Sequence, residues 1–227
     1  MKQRVDYSGF SLRRLNEPRF AHAKLLGGWL VYFALYFLTE NLIPLERCHV
    51  IHCALDDMIP FCEGFAVVYV LWYVLVAGAL AYTFFYDVPA FRHLQIYLMI
   101  TQAVAMLCYI IYPSIQNLRP AVFPRQNVLT WGLGLLYAFD TPTGVCPSLH
   151  VAYSMGIASV WCRRRESSAA LKGFMILSAV VISLSTAFVK QHSVVDIFAA
   201  VPVGLLAEYL VFGPTRLKRW IEADAGA

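Results

Sequence analysis

Residues Phe65 to Tyr86 read FAVVYVLWYVLVAGALAYTFFY, a run of 22 residues without one charged side chain. A helix of about 20 apolar residues is long enough to cross a hydrocarbon core of ~30 Å. The whole chain has 227 residues, of which 59% are hydrophobic and 14% charged, whereas about a quarter of the residues in soluble domains are charged. The sequence therefore predicts a multi-pass integral membrane protein rather than a globular one.

Further apolar segments occur along the rest of the chain. They cover approximately residues 25–43, 94–112, 150–162, 171–189 and 194–212. We therefore expect an all-α fold, a six-helix transmembrane bundle in a single membrane domain (1–227, with the bundle at 24–227). The segment at 150–162 is short unless it extends back towards Pro147. The apolar stretch 128–139 is too short to span, which predicts an interfacial helix, with a re-entrant turn as the alternative.

The distribution of basic residues predicts the orientation of this bundle. With six crossings, 14 of the 18 Lys and Arg residues fall on the side of the N-terminus, so the positive-inside rule places both termini in the cytoplasm. The opposite, extracytoplasmic or lumenal side holds Arg47, Arg119, Arg125 and Lys190. The formal charge of +4 is small and its basic residues are scattered, which does not indicate a nucleic-acid partner.

Cysteines are concentrated in the first loop on the extracytoplasmic side. Cys48, Cys53 and Cys62 lie there, where a disulfide can persist; free thiols are an equally acceptable interpretation. A metal site built from Cys48 and Cys53 with His49 and His52 has no convincing ligand spacing and is the least favoured alternative.

Three polar clusters interrupt the apolar pattern, at residues 112–120, 146–150 and 190–196, and all fall on the extracytoplasmic side. Polar residues at membrane depth are costly and usually mark function. His192 and Asp196 are four residues apart, a spacing that would stack them on one helix face. The carboxylate could then accept the proton of one imidazole nitrogen and leave the other free as a nucleophile or base.

The neighbouring residues fit an anion pocket. Pro147 can begin a helix, so Ser148 and His150 would lie at a helix N-terminus with free backbone N–H groups. Arg119 offers a planar fork for two phosphate oxygens, and Lys190 adds a point charge. His150 would then serve as general acid.

Each of these features also has a purely structural interpretation. Arg119 alone fits an arginine that snorkels to the membrane interface, and Pro147 with Ser148 fits an ordinary helix start. His192 with Asp196 could be a hydrogen bond that closes a helix end. Two histidines and one aspartate leave a metal site incomplete. The occurrence of all three clusters on one side favours a phosphate-binding site.

The same residues resemble the type 2 phosphatidic acid phosphatase superfamily over residues 94–212, the predicted catalytic core. Pro147-Ser148-Leu149-His150 is similar to its Pro-Ser-Gly-His signature. Ser185-Thr186, with His192 and Asp196 at the family spacing, resembles its Ser-Arg-x5-His-x3-Asp signature. Arg119-Pro120 resembles the end of its Lys-x6-Arg-Pro signature.

The resemblance implies roles for these residues. His192 would form a phosphohistidine, Asp196 would orient it, and His150 would protonate the leaving alcohol. Arg119 and Ser148 would hold phosphate oxygens. The resemblance implies neither a metal nor another cofactor, and it implies a lipid phosphate as substrate.

The sequence also departs from the family signatures. Tyr112 stands at the signature lysine, Thr186 at the signature arginine and Leu149 at the signature glycine. Lys190, one helical turn from Thr186, is predicted to replace one of the missing cations. The Pro-Ser-Leu-His form resembles the branch that includes inositol phosphorylceramide synthases. We therefore expect a lipid phosphatase. One alternative is a phosphotransferase that moves a phospho-headgroup to a lipid alcohol such as a sphingolipid. The other is a catalytically inactive lipid-binding scaffold.

Overall fold

A computed structural model describes residues 5–223 of the chain, and this part is almost entirely helical. Lys2 and Arg4, which belong to the basic residues assigned to the cytoplasmic side, lie outside the described residues. The described α-helices are α1 Gly27–Leu42, α2 Ala54–Met58, α3 Phe65–Tyr86, α4 Val88–Ile111, α5 Val128–Phe139, α6 Leu149–Arg163, α7 Ala169–Phe188, α8 Val194–Phe212 and α9 Arg216–Ala223. Three short 3-10 helices cover Leu12–Arg14, Ala21–Leu26 and Leu45–Arg47, and two strands, β1 His49–Val50 and β2 Ser114–Ile115, have two residues each. The fold is all-α, as the apolar segments predict.

Within the described residues, five helices are long and apolar enough to cross a membrane. They are the continuous stretch Ala21–Leu42 and helices α3, α4, α7 and α8. Helix α6 has 15 residues, or about 22 Å at 1.5 Å per residue, which is less than the ~30 Å core. The structure thus supports a multi-pass membrane protein but does not confirm six spanning helices. Helix α5, with 12 residues, is too short to span, as predicted.

Helix α6 lies at the centre of the bundle, where it contacts α3, α4, α7 and α8. Most of its side chains are buried. Close packing depends on Gly156, because a Cβ atom there would lie 2.5 Å from a ring carbon of Tyr97 in α4. The hydroxyl of Tyr97 in turn donates to the carbonyl of Gly204 in α8 at 2.9 Å. These contacts fix the relative positions of the three helices that hold the candidate site.

Helix α4 begins at Val88, earlier than the start predicted near residue 94. Asp87 caps the helix by accepting the N–H of Ala90 at 3.3 Å, and Pro89 occupies the first turn, where its missing N–H costs nothing. Arg92 made this stretch resemble a loop in the sequence, but its side chain is buried in the structure. The early start is therefore a local capping effect that hydropathy alone does not detect.

The loop between α1 and α3 folds back onto the candidate site. Strand β1 pairs in parallel with β2, which follows α4, and the ring of His49 stacks on Tyr112 with centroids 4.0 Å apart. All six cysteines of the chain are free thiols, so the structure contains no disulfide among those of this loop. His52 pairs with Asp57 at 2.9 Å, and residues 5–223 contain no group of three or more His, Cys, Asp or Glu side chains that could hold a metal ion.

Candidate functional site

His192 lies in the short turn between α7 and α8. Helix α7 ends at Phe188, and Lys190 then adopts a φ of 55°, the left-handed conformation that often terminates a helix. The N–H groups of Gln191 and His192 both donate to the carbonyl of Thr186, at 2.9 and 3.1 Å. These bonds reverse the chain at the end of α7, and the imidazole of His192 is buried, with 7% of its surface exposed.

Asp196 contacts His192 from the first turn of α8, but the two residues do not share a helix face as predicted. Helix α8 begins at Val194, with Ser193 as its N-cap, so His192 precedes the helix. The Oδ2 atom of Asp196 reaches back to accept the N–H of Ser193 at 2.9 Å in a capping box. The same oxygen lies 3.3 Å from Nδ1 of His192. The predicted contact therefore exists, but the cap of α8 produces it.

His150, at the start of α6, completes a linear array with this pair. Its Nδ1 lies 3.4 Å from Nε2 of His192, and the two ring centroids are 5.4 Å apart. If Nδ1–H of His192 donates to Asp196, Nε2 of His192 carries a lone pair, and the shared proton must then belong to His150. The Nε2 atom of His150 is buried without a hydrogen-bond partner among the described residues. Two histidines that are far apart in the sequence therefore lie side by side, with the proton on His150 and the lone pair on His192 facing each other.

Asp56, in α2 of the first loop, holds the turn that contains His192. Its carboxylate accepts the hydroxyl of Ser193 at 2.6 Å and the N–H of Val194 at 2.8 Å. Burial raises the pKa of the Asp56 carboxyl, but these bonds and the N–H of Cys53 outweigh that effect, so the net pKa is lowered. Sequence reasoning missed this residue. The only signal is its position three residues after Cys53, where a helix begins.

Ser148 is completely buried at the N-cap of α6. Helix α6 starts at Leu149 rather than at Pro147, and the N–H of Ser148 is not free, because it donates to the backbone carbonyl of Asp196 at 3.1 Å. Its Oγ, by contrast, is buried without a hydrogen-bond partner in the described part of the chain. The hydroxyl, rather than the backbone amide, is thus the polar group of Ser148 without a protein partner, and Ser148 is not among the residues that line the cavity described below.

The guanidinium of Arg119 is engaged by protein acceptors. Nε donates to Oε1 of Gln191 at 2.9 Å, Nη1 to the carbonyl of Tyr137 at 2.9 Å and Nη2 to the carbonyl of Asp140 at 2.5 Å. Burial lowers the pKa of Arg119, and the nearby Asp140 opposes this effect. Arg119 thus joins α5 to the residue before His192, instead of presenting a free fork to a phosphate as predicted.

The structure does not bring Lys190 to the histidine pair. Its Nζ donates to the carbonyl oxygens of Asp56 and Ile59, at 2.8 and 2.5 Å. It lines a separate cavity together with Asp57. The predicted replacement of a signature cation assumed that α7 continues past residue 186 for a full turn, whereas the helix ends at Phe188 and the chain reverses at Lys190.

A cavity of about 640 Å³ opens beside the histidine pair. Its walls are largely aromatic and come from α1, α3, α4 and α6, and both His150 and His192 line it. The ring of Trp72 lies 4.0 Å and that of Tyr69 4.5 Å from the ring of His150, measured between centroids. Helices α1 and α3 each pack on α4, and both contribute side chains to the walls. The cavity therefore offers a space of substrate size directly at the imidazoles.

Comparison of the chain with protein-family models, with curated proteins and with solved structures finds no match. The case for a function thus depends on the geometry of this site together with the motifs of the sequence.

Proposed function

We propose that this protein is a membrane enzyme that cleaves a lipid phosphate ester through a phosphohistidine intermediate. The observation that carries the proposal is the buried array of Asp196, His192 and His150 on the wall of a cavity that apolar side chains surround. A carboxylate that orients an imidazole, with a second imidazole in reach, is the arrangement that nucleophilic catalysis with general-acid assistance requires. The resemblance of residues 94–212 to lipid phosphatases points to the same chemistry.

In the first step, Nε2 of His192 attacks phosphorus, and the bond from phosphorus to the leaving alcohol breaks as the P–N bond forms. Asp196 stabilises the positive charge that develops on the imidazole through Nδ1–H. His150 gives its Nδ1 proton to the leaving oxygen, so that the alcohol departs neutral. This is the proton that faces His192 across 3.4 Å. The two rings must separate for a phosphoryl group to lie between them, and the proton of His150 then turns to the ester oxygen.

In the second step, an acceptor attacks the phosphohistidine and restores His192. The acceptor oxygen bonds to phosphorus, the P–N bond breaks, and His150 takes the proton of the acceptor. Water as acceptor makes the protein a lipid phosphatase, and a lipid alcohol such as a sphingolipid makes it a phosphotransferase. One observation favours a phosphodiester as substrate: the described lining of the cavity contains neither Lys nor Arg, and a phosphodiester carries less negative charge to neutralise than a monoester. Transfer of a phospho-headgroup between lipids uses such a substrate, whereas a phosphatase acts on a monoester.

Two further residues support this chemistry. In this proposal the unpartnered hydroxyl of Ser148, which lies behind the cavity lining next to His150, would donate to a phosphate oxygen once the bound substrate opens a path to it. Arg119 would act through Gln191 rather than by direct contact, because each of its three nitrogen atoms already donates to a protein acceptor and Arg119 is not among the residues that line the cavity.

We also infer that the site faces the extracytoplasmic or lumenal side, with cytoplasmic termini. The excess of Lys and Arg at the opposite end of the bundle supports this orientation. Cys48, exposed enough to react, is a native probe. A membrane-impermeant maleimide should label it in intact cells or sealed vesicles of known orientation, with Cys162 as the cytoplasmic counterpart; labelling of Cys162 in place of Cys48 would reverse the orientation.

The decisive experiment measures turnover of a panel of lipid phosphates by purified protein in nanodiscs. Wild-type protein should be active, His192→Ala inactive, and His52→Ala, a control on the same side of the protein, fully active. Labelled substrate should leave phosphate on wild-type protein in an acid-labile, base-stable form, as expected for phosphohistidine. Equal rates in wild type and His192→Ala would reject the proposal and leave a lipid-binding scaffold. Transfer to added lipid alcohol without net hydrolysis would assign the phosphotransferase.

A further inference from the structure

Asp140 places a carboxylate in the wall of the cavity that both histidines line. It follows α5 directly, and its Oδ2 accepts the hydroxyl of Tyr69 at 2.6 Å and Nε2 of Gln191 at 3.2 Å. The ring of Tyr69 packs on His150, and Gln191 precedes His192 in the chain. The carboxylate is therefore one side chain away from each imidazole.

Aromatic rings surround the space that this carboxylate faces. Tyr32 and Tyr36 line it from α1, and Trp72 and Tyr73 line it from α3. Trp72 meets Tyr73 edge to face with centroids 4.9 Å apart, and Tyr32 lies 6.0 Å from Tyr36. Ring faces of Trp and Tyr attract a cation that comes within about 6 Å of the centroid, and such cages are the usual site for quaternary ammonium groups.

The charges of the cavity lining also favour a cationic ligand. Apart from the two histidines, Asp140 is the one titratable side chain with a formal charge among the described lining residues. Arg119 binds the backbone carbonyl of Asp140 and not its carboxylate. Arg119 attracts the Asp140 carboxylate from behind the cavity lining, but the described lining itself contains no Lys or Arg, so a dianionic phosphate monoester at His192 would be repelled by this carboxylate. A substrate that carries its own positive charge would satisfy it.

Building on the function proposed above, we propose that the substrate is a zwitterionic phosphodiester lipid whose headgroup is an alkylammonium alcohol of the choline or ethanolamine type. Its phosphate lies between His192 and His150, and its ammonium group lies against Asp140 and the Tyr and Trp faces. The remaining apolar walls of α1 and α3 accept the adjoining part of the lipid chain.

Turnover tests this assignment through the ratio of two substrates. In nanodiscs, wild-type kcat/KM for a phosphatidylcholine or phosphatidylethanolamine should exceed that for a phosphatidylglycerol of the same chains by about tenfold or more, since both are phosphodiesters and only the first kind carries a cation. Asp140→Asn should remove this preference, chiefly by lowering the rate with the cationic headgroup. Asp57→Asn, an exposed control, should preserve it. A wild-type ratio near one, or an unchanged ratio in Asp140→Asn, would overturn the assignment.

A binding measurement separates this proposal from the proposed reaction. His192→Ala protein, which cannot form the intermediate, should still bind choline in preference to its neutral isostere 3,3-dimethyl-1-butanol. Tryptophan fluorescence reports this binding, because Trp29 and Trp72 both line the cavity, and Trp72→Phe should reduce the signal. The Asp140→Asn, His192→Ala double variant should not discriminate. Equal binding of the two ligands would reject the cation site even if the enzyme turns over lipids. Discrimination without turnover in the wild type would keep the cation site and reject the catalytic proposal.

Discussion

Asp56→Asn should reduce turnover although residue 56 belongs to a loop outside every signature motif. The carboxylate of Asp56 accepts three hydrogen bonds at 2.6–2.8 Å, from Ser193 Oγ and from the backbone N–H groups of Val194 and Cys53. Only 2% of the Asp56 surface is exposed. An asparagine of the same shape keeps one acceptor oxygen and replaces the other with a donor, which must face an N–H or hydroxyl that needs an acceptor.

The magnitude follows from these bonds. A hydrogen bond to a charged group contributes about 1.5–3 kcal/mol, and an unsatisfied buried donor costs a similar amount. We therefore expect Asp56→Asn to lower the free energy of unfolding by about 2–3 kcal/mol, or Tm by roughly 4–12 °C for a chain of this size. Because Val194 and Ser193 follow His192 directly, the imidazole should shift as well, and a displacement of about 1 Å can lower kcat by about 100-fold.

The assay compares Asp56→Asn with Asp57→Asn in the same nanodiscs, at a temperature well below either Tm. Asp57 is the adjacent residue, with a side chain that is 69% exposed in an ion pair with His52, so its change should cost less than about 0.5 kcal/mol. A positioning role predicts a lower kcat with little change in KM. A wild-type kcat in Asp56→Asn, or equal losses in the two variants, would refute the reasoning.

The pH dependence gives an independent readout of the same contact. The folded pKa of Asp56 lies below its ordinary 3.8, so its stabilisation is present above pH 3.8 and is lost as pH falls through the lower folded value. The difference in Tm between wild type and Asp56→Asn should therefore stay constant from about pH 8 to pH 5. A difference that disappears in that range would show that another group titrates.

Three further predictions concern other contacts of the same face. Asp196→Asn should reduce kcat by about 10²–10⁴-fold, because the amide cannot hold the required tautomer of His192. It should also lower Tm, because Asp196 is fully buried and its Oδ2 accepts the N–H of Ser193. Turnover measured well below either Tm separates the two effects, and a wild-type rate there would show the pair to be structural. Lys190→Met removes two charged hydrogen bonds to the carbonyls of Asp56 and Ile59. It should lower the free energy of unfolding by at most about 1.5–3 kcal/mol per bond, and Tm with it, but leave the ratio of rates for the two headgroups unchanged. A changed ratio would show that Lys190 contacts the substrate. Glu63→Gln should lower Tm at neutral pH, since hydrogen bonds from Arg125 lower the pKa of Glu63 from 4.5 to about 2. The stabilisation by the Glu63 carboxylate is present above pH 4.5 and is lost as pH falls towards 2. The Tm values of wild type and Glu63→Gln should therefore converge near pH 2.

Hydropathy predicted the ends of apolar helices well where a turn or a polar residue bounds the apolar run on both sides. Helices α3, α5 and α8 begin and end at the residues that the apolar segments indicate, because each is bounded by a turn or a polar residue. The start of α4 could not be predicted in this way, since Arg92 is charged yet buried. A charged residue inside a bundle depends on neighbours that are distant in sequence, and a window of local hydropathy cannot include them.

The spacing of the site residues predicted their meeting but not its geometry. His192 and Asp196 approach through the cap of α8 rather than along a helix, because Ser193 ends the turn and starts the helix. Lys190 was expected beside Thr186 on a continuous helix. Its left-handed φ ends the helical path instead, and its side chain reaches the carbonyls of the α2 segment rather than the histidines. Helical periodicity applies only within a helix, and the residues of this site lie where two helices end.

The parts of the chain without any motif supply what the motifs lack. Asp56, in the short helix α2, and Asp140, directly after α5, belong to no signature motif, yet one holds the turn of His192 and the other lies in the cavity wall. Nucleophilic chemistry needs a few side chains at fixed separations, which leaves a recognisable spacing in the sequence. Selection of a headgroup needs a wall assembled from several helices, and Tyr32, Tyr73 and Asp140 come from three separate segments. For the proposed enzyme, the reaction type can therefore be predicted from local sequence motifs, whereas the substrate preference can be inferred only from the three-dimensional structure.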